Sequence, residues 1–264
     1  MSQRTQESSL DAETLSQYET EYVLHPWRVQ KGLTRVIVDY AKGNYFYDTS
    51  GRQYLDFTSQ LAFCNLGHGD ERVVAAVREQ AGRLFNATAS FGTEPKARFA
   101  KLLAEITPGD IRKTFFSTSG AEANEGAIKL ARLASGKHKI IARYRSYHGS
   151  TFGAMTLSSD PRGWACEPAI PGVVHCLGAY CYRCPFGAIY PNCDLLCAKH
   201  VEEVVRLEGG ARRVAAIIGE PIAGANGVID APDGYWQRIR EICDKYEIAM
   251  ISDKMMTGFD RTDR

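Results

Sequence analysis

From about residue 110 onward, short apolar runs alternate with longer segments of helical period. Lys113–Ser117, Lys139–Arg143, Val214–Gly219 and Ile248–Asp253 read as strands. Between them, Glu122–Ala134, Cys197–Leu207 and Tyr235–Tyr246 read as helices, the first closing near Gly136. In the last, Tyr235, Ile239, Ile242 and Tyr246 recur at i, i+4, i+7 and i+11, one face of a helix. Upstream, Val73, Val74, Val77 and Leu84 share one side of a helical segment, and Arg98–Ile106 forms another. Before these, Arg35–Tyr40, Asn44–Tyr47 and Gln53–Phe57 are β-like runs punctuated by Gly43 and Ser50-Gly51, a small antiparallel element. Residues 1 to about 20 are polar and read as a loose lead-in.

Strands alternating with helices predict an α/β fold with a mostly parallel sheet covered on both faces, a three-layer sandwich. In such sheets ligands bind outside the carboxyl ends of the strands. Polar residues gather at those ends: Ser117–Ala121, Tyr147–Gly149, Glu220 and Asp253. The 264 residues allow one large domain or two modest ones.

Two of these clusters carry chemistry on their own. In FFSTSGAEANEGAIKLARLA, Ser119 and Glu122 fit the capping-box pattern at the start of a helix. Gly120 and Ala121 leave the first backbone amides uncovered, and with the helix dipole these make an anion site. An ordinary capped helix gives the same pattern. Asp253 ends an uncharged strand, where a carboxylate is costly unless paired or functional. One function is to hold a proton on a ligand's ring nitrogen by a charge-assisted hydrogen bond; a cap or loop acid is the alternative.

Composition narrows the classes. The 32 basic and 31 acidic residues balance to +1, which gives no electrostatic attraction to nucleic acid or to an anionic membrane. No apolar stretch approaches the roughly 18 residues needed to span a bilayer. The polar N-terminus lacks the apolar core of a secretory signal, so the expected location is cytoplasmic. Five of the eight cysteines fall within residues 175–200. Cys181-x2-Cys184 and Cys193-x3-Cys197 have the spacing of zinc knuckles, and a tetrahedral zinc is one expectation for them. Reduced thiols or an adventitious disulfide are the others, and a zinc-stabilised interaction module is a possible whole-chain role.

Taken in order, SGAEANEGAIKLAR, YRSYHGSTFGAM, GEPIAGANG and ISDKMMTGF resemble the class III aminotransferases, pyridoxal 5'-phosphate (PLP) enzymes of fold type I. NYFYDTSGRQYLDF and NLGHGDERVVAAV extend the resemblance toward the N-terminus. It implies that residues 1–60 belong to a small domain and 61–264 to a PLP-binding large domain with a cysteine-rich insertion at 175–200. It also implies that Ser119, Gly120 and Ala121 cradle the cofactor phosphate. Tyr147 would cover the ring with His148 beside it, Glu220 would sit near the cofactor hydroxyl or the substrate, Asp253 would pair with the ring nitrogen, and Met255 would pack on the other face. Trp27 and Phe63 are candidates for the substrate pocket. The implied activity is transfer of an amino group from a donor, including ω-amino donors, to a keto acid such as pyruvate, in a homodimer.

Three features depart from the family pattern. Lys254 follows the aspartate where the family has glutamate, and it could compete for Asp253. Asp260 and Asp263 replace glycines. The Schiff-base lysine lies beyond this motif in the family, and no lysine here matches it. The expectation is a sandwich incomplete at its C-terminus, a chain truncated before its catalytic lysine and inactive alone, or else a non-catalytic remnant or PLP-binding scaffold.

Overall fold

The computed structural model describes residues 10–26, 28–32 and 35–259. Trp27, Asp260 and Asp263 lie outside the described residues. The chain divides into two compact units, residues 1–93 and 94–264.

The first unit opens with helix α1 (Ala12–Tyr22), where the sequence reads as a loose lead-in. The Asp11 carboxylate accepts from the Thr14 amide and supplies the N-cap, while no residue of the helix is buried, so there is no apolar periodicity to read. The expected antiparallel element is present as β1 (Val38–Lys42), β2 (Tyr45–Asp48) and β3 (Gln53–Leu55) in the order β1-β2-β3. A left-handed turn, α2 (Ser59–Ala62), and helix α3 (Glu71–Arg83) follow. His68 Nε2 lies 2.8 Å from Asp56 Oδ2, which ties the segment before α3 to the end of the small sheet. Phe63 is exposed in this unit.

The second unit is the expected sandwich. Its four strands are all parallel, in the order β5-β4-β6-β9. They are β4 (Lys139–Arg143), β5 (Val173–Cys176), β6 (Val214–Gly219) and β9 (Ala249–Ser252). The helices are α4 (Glu94–Ile106), α5 (Gly120–Ser135), α6 (Phe152–Leu157), α7 (Leu196–Leu207) and α8 (Tyr235–Lys245). A short hairpin, β7 (Ile222–Ala223) with β8 (Ile229–Asp230), leads from β6 toward α8.

Alternation along the strands assigns each face. Ile141 and Ile217 point into one apolar cluster with Val201 and Val205 of α7 and Ile239 and Ile242 of α8. Ile140, Ala142 and Ile218 point into the other, with Ile128 and Ala131 of α5 and Leu157 of α6. Every residue of β6 is buried, as its uninterrupted apolar run requires of a central parallel strand.

Two strand readings differ from the structure. Lys113–Ser117 forms no ladder with any described residue, and Phe115 and Phe116 are exposed. An apolar β-prone sequence becomes a strand only where a partner backbone accepts its hydrogen bonds. Conversely, Val173–Cys176, which carries no strand reading from the sequence, pairs in register with Ile140–Arg143. At four residues it is too short to declare a period by itself.

Candidate cofactor site

The carboxyl ends of β4, β6 and β9 and the start of α5 meet at one place. Ser119 is the N-cap of α5, and its hydroxyl accepts from the Glu122 amide. The Glu122 carboxylate reaches one residue farther back than a capping box requires, to the amide and hydroxyl of Thr118. The hydroxyl and carboxylate together fix the turn. Gly120 and Ala121, as the first helical residues, have amides with no intrahelical acceptor. A Cβ on Gly120 would meet the Met255 side chain at 3.5 Å, so Met255 rests against the turn itself.

The loop after β4 passes directly over this turn. Gly149 has φ +134°, and a Cβ there would lie 2.5 Å from the Ala121 Cβ. Glycine is therefore required twice at this position, by conformation and by contact. Behind the loop, the Glu125 carboxylate accepts from the Thr151 hydroxyl and the Gly153 amide.

Asp253 follows β9, and its side chain is 8% exposed. Its Oδ2 accepts from Asn124 Nδ2 at 2.9 Å and lies 2.8 Å from His148 Nδ1, while Oδ1 accepts from the Met255 amide. Burial, the largest influence, raises the carboxyl pKa, but His148 and Asn124 together outweigh it and hold Asp253 below its ordinary value. Lys254 is exposed and forms no ion pair with Asp253. His148 is buried, and its Nε2 has no hydrogen-bond partner.

Glu220, after β6, clips two loops together. Its carboxylate accepts from the Tyr147 amide and the Gly224 amide, both at 3.0 Å. Burial raises its pKa, and the two amide hydrogen bonds oppose that. Tyr147 is half-buried, with the Arg162 guanidinium 4.1 Å from its ring centroid and Arg162 held in turn by Asp160. The site thus combines uncovered amides on small residues, a carboxylate largely shielded from solvent and an aromatic ring. That set suits a flat anionic ligand with a protonated ring nitrogen.

All eight residues singled out for this role, from Ser119 to Met255, belong to this unit. Sequence reasoning missed Asn124, Glu125 and Arg162. Asn124 and Glu125 sit on the inner face of a helix already recognised, and their polarity among apolar neighbours was the available signal.

The zinc expectation finds no support. Among the described residues no group of three or more His, Cys, Asp or Glu side chains could hold a metal. Cys181 is exposed on a 3-10 turn, Cys184 and Cys193 are half-buried, and Cys197 is buried in the apolar cluster under α7. There Cys197 packs as a small hydrophobe and burial raises its thiol pKa. Among the described residues no helix is long and apolar enough to cross a membrane.

Comparison with known proteins gives a consistent result. The sequence profile of the class-III aminotransferases matches residues 28–264. The chain is 38% identical over 239 residues to the hypotaurine/taurine–pyruvate aminotransferase of Paracoccus denitrificans, covering 86% of this chain and 50% of that protein. It is 36% identical over 224 residues to the leucine/methionine racemase of Thermococcus litoralis, covering 84% and 51%. Among solved structures it resembles the taurine:2-oxoglutarate aminotransferase of Bifidobacterium kashiwanohense, in complex with PLP and glutamate. The TM-score is 0.88 at 39% identity, over 95% of this chain and 57% of that one. An (S)-enantioselective ω-transaminase from Thermomicrobium roseum gives a TM-score of 0.91 at 33% identity, over 96% and 59%. The chain spans about half the length of the curated relatives it matches.

Proposed function

This chain belongs to the class-III aminotransferase family, and on that premise we propose that it carries the phosphate and ring-nitrogen half of a PLP site. The observation that carries the reading is Asp253, its side chain 8% exposed and held by His148 and Asn124 beside the start of α5. When bound, PLP supplies an electron sink for bond cleavage at an amine-bearing carbon. The chain's residues do the rest. The Gly120 and Ala121 amides and the Ser119 hydroxyl would bind the phosphate. Asp253 would keep a proton on the ring nitrogen, and His148 and Asn124 hold Asp253 in place. Tyr147 and Met255 would flank the ring, and Glu220 holds the Tyr147 loop through its backbone amide.

The reaction we propose for the whole protein is transfer of an amino group from a small amine, ω-amino compounds included, to a keto acid such as pyruvate. Relatives that act on taurine support this; the racemase among them makes the acceptor half the less constrained part. The Schiff-base lysine of the family pattern has no match within residues 1–264, so turnover is assigned to a polypeptide that carries it. Cytoplasmic location, the domain division at residue 60 and a homodimer belong to the same reading.

Equilibrium dialysis of PLP against the 264-residue chain tests it. Saturable binding tighter than about 1 mM is expected, weakened about tenfold or more in Asp253→Ala and in Gly120→Val. Binding unchanged in both variants would overturn the reading. Borohydride reduction with PLP followed by mass spectrometry tests the assignment of the lysine: a pyridoxyl group on one specific lysine of this chain contradicts it.

A further inference from the structure

Arg143 ends β4 with only 6% of its surface exposed, yet no carboxylate pairs with it among the described residues. Its Nη2 donates to the Glu220 carbonyl at 2.5 Å, and its guanidinium lies 4.9 Å from the Trp236 ring centroid. Its Nε has no hydrogen-bond partner. Two glycines make room for this side chain: a Cβ on Gly219 would fall 3.0 Å from Nε, and one on Gly178 would fall 3.2 Å from Cδ. A buried charge without a counter-charge is costly, so a fold that clears space around one needs a compensating partner.

Arg143 also borders a cavity of ≈ 290 Å³. Arg145 lines the same cavity and stacks 4.5 Å from the Tyr180 ring centroid, itself a wall residue. No acidic residue lines the cavity, and the nearby Asp160 is already committed to Arg162. The walls therefore carry two positive charges and no negative one. The lining also includes Leu177, Ala179, Pro185 and Ile229, an apolar surface that inorganic phosphate would leave unused.

We propose that this cavity binds a small organic acid, with a carboxylate on the Arg143–Arg145 wall and its hydrocarbon part against Leu177 and Ile229. Tyr180 and Pro185 come from the cysteine-rich segment, which thereby gains a role as the outer wall of an anion site. The inference is independent of the PLP reading, because Ser119, Gly120, Ala121 and Asp253 do not line this cavity.

Calorimetric titration of the 264-residue chain at constant ionic strength tests it, with succinate, inorganic phosphate and neutral succinamide as probes. Succinate should bind at one site with a dissociation constant on the order of 1 mM or tighter, succinamide should give no saturable heat, and phosphate should bind more weakly than succinate. Arg145→Gln, at an exposed position, should leave the unliganded melting temperature unchanged and weaken succinate about tenfold; Arg143→Lys should weaken it also. Saturating PLP should leave succinate binding unchanged. Absence of saturable succinate binding, or binding indifferent to Arg145→Gln, would overturn the proposal. Phosphate binding tighter than succinate would refute the organic-acid assignment, and competition with PLP would refute the location.

Discussion

Asp253 Oδ2 lies 2.8 Å from Nδ1 of His148, across 105 residues of sequence, and the same oxygen accepts from Asn124, 129 residues away. Three elements are locked to one carboxylate oxygen: the inner face of α5, the loop after β4 and the turn after β9. Burial alone would favour a neutral acid here, and the two partners reverse that preference. The carboxylate is therefore a structural junction as well as the candidate partner of a ring nitrogen.

Replacing Asp253 by alanine takes the acceptor from His148 Nδ1 and one of the two acceptors from Asn124 Nδ2, which keeps the His148 carbonyl, in a buried setting. The expected cost is about 2–4 kcal/mol of unfolding free energy, measured by urea denaturation at neutral pH. The pH dependence follows from the sign of the shift. The folded-state pKa is lowered from 3.8, so this group's stabilisation is present above that value and is lost as pH falls through the folded pKa. Asp253→Asn should remove that acid-side loss. An identical acid-unfolding slope in wild type and Asp253→Asn would contradict this account.

Glu220 acts in the opposite sense. Burial raises its pKa above 4.5, so its favourable contribution is complete below 4.5 and declines as pH rises through the folded value. It remains in place because it accepts from the Tyr147 and Gly224 amides. Glu220→Ala leaves both amides unsatisfied and should cost about 2–3 kcal/mol. Hydrogen exchange should show the Tyr147 amide losing protection before the amides of β6. Unchanged exchange at Tyr147 would mean that the clip does not hold the loop.

Much of this arrangement is legible in the sequence because it depends on local periodicity. The buried run of β6, the face of α8 and the Ser119 cap each follow from a few neighbouring residues. Two further cases depended on partners and were not legible. Lys113–Ser117 is as apolar as a strand but has no ladder partner among the described residues. Asn124 is an ordinary helix residue until Asp253 arrives beside it. Likewise, the knuckle spacing of the cysteines fixes only separations along the chain; Cys197 packs in the apolar cluster, within electrostatic reach of Cys181 and Cys193, and the four form no metal-holding group among the described residues.

Metal removal should therefore leave the fold unaffected. Dialysis against a chelator is expected to shift the melting temperature by less than about 1 °C, since no group of three or more His, Cys, Asp or Glu side chains among the described residues is arranged to hold a metal. A chelator-induced loss of several degrees, restored by zinc, would assign a metal to Cys181, Cys184, Cys193 and Cys197 after all.

Gly149 offers the sharpest test of how the loop and the turn at the start of α5 fit together. Its φ of +134° disfavours any other residue, and an added Cβ would sit 2.5 Å from the Ala121 Cβ and 2.7 Å from the Ala121 Cα. Both backbones would have to separate, which displaces the Tyr147-His148 segment from α5 and loosens Asp253 along with it. Gly149→Ala should cost about 2–4 kcal/mol in urea unfolding and weaken PLP about tenfold or more in dialysis. Adding Ala121→Gly removes the Cβ–Cβ contact but neither the backbone contact nor the φ penalty. The double variant should recover part of the loss, with a coupling energy of about 0.5–2 kcal/mol. Strict additivity of the two substitutions would show that the loop does not rest on the turn.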